Sequence, residues 1–119
     1  MTETYAVRWV VDSGHAWLEV PLDEAIYAAR DVRPVSGFSY VDERAGFAYL
    51  EEDRDAGVWL EWVAGSDDLE AIRAVAVGVE GFHHCDGPAW VRDLPSWDVA
   101  EVGPASWFAA WSPARRVGS

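Results

Sequence analysis

The order of hydrophobic patterns constrains this chain more than any single motif does. Residues 4–11, TYAVRWVV, alternate and are rich in β-branched and aromatic types, which is the pattern of a strand. Asp12-Ser13-Gly14 is turn chemistry, and HAWLEV (15–20) resumes a strand, so the first unit reads as a hairpin. Pro21 opens PLDEAIYAARD, where a proline at a helix start followed by Asp23 and Glu24 suits the helix dipole. Leu22, Ile26 and Ala29 recur at helical spacing, and the helix ends before Pro34. The order then repeats. SGFSYVD (36–42) and GFAYLEE (46–52) flank a turn at Glu43-Arg44-Ala45-Gly46. A helix follows from about Asp55 to Ala64, with Gly65 as its stop and Val58, Trp59, Trp62 and Val63 as its apolar stripe.

The rest is less regular. The start of LEAIRAVAVGVEGF (69–82) can add a helical turn, whereas AVAVGVEGF reads as a strand. Asp86-Gly87-Pro88 is a turn, and AWVRDL (89–94) reads as the partner strand. The expected fold class is α+β: a single domain with an antiparallel sheet from three hairpins, two helices packed on one face (β-β-α-β-β-α-β-β), and a Trp-rich C-terminal extension. Residues 1–111 form the domain, and 112–119 read as a flexible tail. Trp107 and Trp111 in the extension are expected in the core; exposed, they would mediate self-association.

Composition enters through what it excludes. Eight Trp give a chain of 119 residues enough apolar bulk for a core without disulfides. A lone cysteine, Cys85, excludes a disulfide framework and a Cys-only zinc site. No run approaches the roughly 18–20 apolar residues that span a bilayer, so a soluble, cytoplasmic protein with no membrane partner is expected. The net charge is −12, all nine basic residues are Arg, and ten acids fall between Asp42 and Glu70 against Arg44 and Arg54. Such a field repels nucleic acid and attracts basic proteins or cations.

YLEEDRDAG (49–57) is the densest acidic stretch. Asp53 and Asp55 suit a helix start, where carboxylates accept backbone N–H bonds. That account leaves Glu51 and Glu52, which on a strand would alternate to opposite sheet faces. His15, after a glycine turn, becomes a ligand or general base only if a carboxylate such as Glu51 or Asp53 lies close. His83-His84-Cys85 resembles metal chemistry, but neighbouring strand residues point apart and no second ligand pair exists, so no zinc is expected there. No phosphate loop, dinucleotide fingerprint, nucleophile elbow or H-E-x-x-H occurs, and no cofactor is expected.

SGHAWLEVP, SGFSYVD, YLEEDRDAGVWLE and CDGPAWVRDLP together resemble, in order and spacing, an uncharacterised family of small bacterial and mobile-element proteins. That family carries G-H-x-W-L-x-V-P, Y-L-E-E-D-x-D and V-R-x-L-P motifs. The resemblance spans about residues 13–95, and Y-L-E-E-D-x-D is its most specific part. It implies no activity, only that His15, Glu51, Glu52, Asp53, Asp55 and Arg92 fall on motif positions. Arg54 stands where a cysteine is common, and Ala16 where a glycine is common.

Two functional expectations follow. The first is a non-enzymatic acidic module that engages a basic protein surface through Asp42, Glu43, Glu51, Glu52, Asp53, Asp55, Glu61, Asp67 and Asp68. Its form would be a mobile-element accessory or counter-defence factor, up to a DNA mimic. The second is a metal-dependent or hydrolytic enzyme that uses His15 with Glu51, Asp53 or Asp55. The distance from the His15 ring to Glu51 and Asp53 separates the two.

Overall fold

Both strand–strand–helix units form in the expected order, although residues 36–39 turn and leave only Tyr40–Asp42 of SGFSYVD as strand, in a computed structural model that describes residues 3–32 and 35–98. The N-terminal run breaks at Val7 into β1 (Tyr5–Ala6) and β2 (Arg8–Val11). β3 (Ala16–Pro21) returns antiparallel to β2 with Trp17 opposite Val10. α1 (Leu22–Asp31) starts directly on Pro21, with Asp23 and Glu24 in its first turn and Arg30 in its last, so charge complements the dipole at both ends. β4 (Tyr40–Asp42) and β5 (Phe47–Glu51) form the second hairpin, turned at Gly46 with φ +80°. α2 (Ala56–Ala64) stops on Gly65, whose φ of +68° and N–H bond to the Glu61 carbonyl close its last turn.

The third hairpin does not form. Asp68 instead caps α3 (Leu69–Val75), its carboxylate accepting from the Ala71 N–H. The chain continues through β6 (Ala76–Val77) and β7 (Phe82–His84), which pair parallel to β1 and β2. A chain that returns through two helices re-enters the sheet from the same end as the strand it joins, which is the parallel crossover. The five-stranded sheet is therefore mixed, not antiparallel, in the order β4-β5-β3-β2-β7, with β1-β6 as a separate pair. Gly78 breaks the expected strand between β6 and β7: its φ is +95°, and a Cβ there would collide with the Val7 carbonyl oxygen.

AWVRDL is likewise no strand. Trp90–Asp93 wind into one 3-10 turn, because its backbone finds acceptors without a neighbouring strand. Arg92 and Leu94 donate to the Ala89 and Val91 carbonyls, and the Ala89 N–H donates to Asp12 Oδ2. Tertiary partners override the alternation.

Strand alternation gives the sheet two covered faces. Leu18, Val20, Ala48 and Leu50 lie on one, packed against Ile26 of α1 and Trp59 of α2, so those two helices share a face as expected. Val10, Trp17 and Tyr49 lie on the other, covered by Ala89 and Val91. β4, the outer strand, is itself covered: Val41 N–H donates to the Pro95 carbonyl, and Trp97 N–H to that of Ser39. No helix among the described residues is long and apolar enough to cross a membrane. Trp107, Trp111 and the tail from residue 112 lie outside the described residues.

Candidate functional site

Register decides which side chains meet. Trp17 stands opposite Glu51 and Leu18 opposite Leu50, so Glu51 lies on the Trp17 face and not in the helix-packed core. His15 is two residues before Trp17 and emerges on the same face, with its ring centroid 5.9 Å from that of Trp17. Tyr40, opposite Tyr49, joins them. β5 ends at Glu51, so Glu52 enters a turn and is not sent to the opposite face as an extended strand would require.

Glu51 is held on three sides. Its side chain is only 7% exposed, with Oε1 4.0 Å from Nδ1 of His15, whose own side chain is 49% exposed. Oε2 accepts from the Asp53 N–H at 2.9 Å. The Glu51 N–H donates to Ser39 Oγ at 2.9 Å, and that hydroxyl donates in turn to Asp55 Oδ2. Asp55 also accepts from the Ser36 N–H and hydroxyl. It sits at the α2 N-terminus, yet its side chain caps nothing there and turns inward.

A second carboxylate fixes the turn that carries His15. Asp12, directly after β2, accepts five hydrogen bonds although its side chain is 1% exposed. Oδ1 takes the N–H groups of Gly14 and His15 and Arg92 Nη2; Oδ2 takes the Ala89 N–H and Arg92 Nε at 2.7 Å. Hydrogen bonding from Arg92 holds the Asp12 carboxyl well below the usual carboxylate range; burial opposes this, and the backbone N–H groups reinforce it. Asp12 in turn raises the Arg92 guanidinium. Gly14 leaves room for this clasp, since a Cβ there would lie 3.0 Å from Arg92 Nη2.

The result is a two-lobed concavity. One lobe, about 540 Å³, is lined by His15, Phe38, Glu51, Asp53 and Arg54. The other, about 230 Å³, is lined by His15, Trp17, Phe38, Tyr40, Glu51 and Arg92. Two guanidinium groups lie over aromatic rings at its walls, Arg54 4.8 Å from Phe38 and Arg92 5.1 Å from Trp17. One donor atom each from His15, Glu51 and Glu52 lie within 4.8 Å of one another, which makes these three the one metal-capable group found among the described residues.

The remaining sequence candidates separate. Asp53 lines the larger lobe, outside the three-donor group. Asp42 accepts from Ala45 within its turn, and Asp68 caps α3. Glu43, Glu52, Asp53, Glu61, Asp67 and Asp68 are exposed, whereas Glu51 and Asp55 are buried and add nothing to a charged exterior. His83 packs edge-on to Trp90, and His84 stacks on Phe82. The sequence marks Asp12 as the start of a turn, which Gly14 and His15 N–H bonds to its carboxylate bear out, and Arg92 only as a motif position, and it gives no role to Ser39 or Tyr40. No family model, curated protein or solved structure matches the chain.

Proposed function

We propose that this protein is a small metal-dependent hydrolase, with a divalent cation held by His15, Glu51 and Glu52. The observation that carries the reading is the buried Glu51 carboxylate, tied through Oε2 and presenting Oε1 to His15 at 4.0 Å across an open concavity. That gap is too long for a hydrogen bond. One donor atom from each of the three residues lies within 4.8 Å of the others, so they could converge on one cation. Three protein ligands and a position open to solvent is the arrangement of catalytic centres, whereas structural zinc centres are closed by four. Bound there, a cation would supply an acidified water as the nucleophile, and Asp53, which lines the same lobe, would take up that water's proton and pass it to the leaving group as the scissile bond breaks.

Calorimetric titration with MnCl2 and ZnCl2 tests this. One cation per chain should bind and raise the melting temperature, by the stabilisation of about 2.7 kcal/mol that any ligand gives at a hundredfold excess over its dissociation constant. Glu51→Gln should abolish both effects. Absence of heat and of a melting shift for both cations rejects the reading.

The exposed Glu43, Glu61, Asp67 and Asp68 support a second reading, an acidic surface that docks a basic protein and in its strongest form mimics DNA. Reversing the charge at Glu61, Asp67 and Asp68 should weaken salt-sensitive binding of an arginine-rich peptide and leave cation uptake intact.

A further inference from the structure

We propose that the smaller lobe seats a phosphoryl group against Arg92, Tyr40 and His15, so that the substrates of this site are phosphoesters. The inference deepens the hydrolase reading and rests on its cation. Arg92 spends Nε and Nη2 on Asp12, and among the described residues Nη1 has no acceptor. Pairing with Asp12 and stacking on Trp17 fix the guanidinium, and Arg92 lines the lobe. Tyr40 lines the same lobe, and its hydroxyl has no hydrogen-bond partner among the described residues. A guanidinium edge, a hydroxyl and an imidazole around one volume of about 230 Å³ suit a tetrahedral group with three oxygens better than a planar carboxylate with two. The volume leaves room for a small organic substituent on that group.

Charge sets the condition for binding. Arg92 is already paired with Asp12, and Glu51 lines the same lobe, so an anion entering alone meets an unfavourable site. A divalent cation on His15, Glu51 and Glu52 would cancel the two glutamate charges and leave the Arg92 edge unopposed. The net charge of −12 acts mostly from farther away, where about 10 Å of screening at 0.1 M salt weakens it. Anion binding should therefore depend on the cation.

The test is titration of phenyl phosphate into the full chain with and without saturating MnCl2, with benzoate as the carboxylate counterpart. Phenyl phosphate should bind the Mn2+-loaded protein and benzoate should bind far more weakly. Arg92→Lys keeps a positive partner for Asp12 but loses the second guanidinium edge, and Tyr40→Phe leaves the ring in place. Each should weaken phenyl phosphate binding about tenfold, the loss of one charge-assisted bond, and Tyr40→Phe, which leaves the Asp12–Arg92 clasp intact, should do so with Mn2+ affinity unchanged. Equal binding of benzoate, or unchanged affinity in both variants, overturns the inference while the cation site stands. If Mn2+ itself fails to bind, the hydrolase reading falls. The phosphoryl seat, which needs the cation, then falls with it, and phenyl phosphate binding equally well without Mn2+ overturns the stated dependence on the cation.

Discussion

Replacing Ser39 by alanine should loosen the site from below. Ser39 is fully buried and its hydroxyl makes two bonds, accepting from the Glu51 N–H at 2.9 Å and donating to the Asp55 carboxylate. Ser39→Ala leaves the Glu51 N–H without that acceptor, a cost of about 1–3 kcal/mol, and removes a bond to a charged group worth about 1.5–3 kcal/mol. Asp55 keeps its two Ser36 donors, so the combined loss should fall near 3 kcal/mol and not at the sum of the upper limits. With an unfolding entropy of about 2.1 cal/mol/K per residue over 119 residues, that is a fall in melting temperature of about 12 °C. Differential scanning calorimetry and urea unfolding measure it, and the urea slope should not change. Combined with Asp55→Asn, the two losses should be non-additive by about 1 kcal/mol or more. A loss under about 1 kcal/mol, or strict additivity, would refute the claim that Ser39 links the α2 start to the Glu51 backbone.

Three further outcomes are expected. Gly78→Ala should cost about 2–4 kcal/mol, because the backbone there has positive φ and the new methyl meets the Val7 carbonyl; urea unfolding checks it. Asp12 titrates lower in the folded chain than unfolded, so its stabilising contribution is complete above about pH 4 and disappears as pH falls below that. The stability gap between the natural chain and Asp12→Asn should therefore hold constant from pH 7 to 5 and close toward pH 2, as read by urea midpoints. Glu52→Gln should leave the melting temperature within about 1 °C, since exposed surface changes cost little, yet lower Mn2+ affinity at least about tenfold.

What the sequence revealed depended on how local the physics was. Pro21 and Gly65 act within a turn of themselves, and both helix boundaries they mark are where the pattern placed them. Alternation identified β2 to β5 but carries no direction, so it could not distinguish a closing hairpin from the parallel return of β7. Asp55 looked like a cap because its position is right for one; only the fold brings Ser36 and Ser39 across to claim its oxygens. His15 and Glu51 were each legible as candidates. Their meeting depends on the β3–β5 register, a choice between two faces that a single residue of slip would reverse. Arg92 was hidden for a related reason: its partner lies 80 positions earlier in the chain.

That separation has a consequence during synthesis. The hairpin carrying Asp12 leaves the ribosome long before Ala89 and Arg92 exist, and contacts of such span close late because the intervening chain must be ordered first. Until then the Asp12 carboxylate lacks its cationic partner, and burying it would cost its hydration without compensation. Arrival of Arg92 lets the carboxylate dehydrate and locks the His15 turn in the same event. An interrupted translation product ending before residue 89 thus lacks the Ala89 and Arg92 donors that complete the Asp12 clasp, and the concavity beside His15 is completed only once that segment docks.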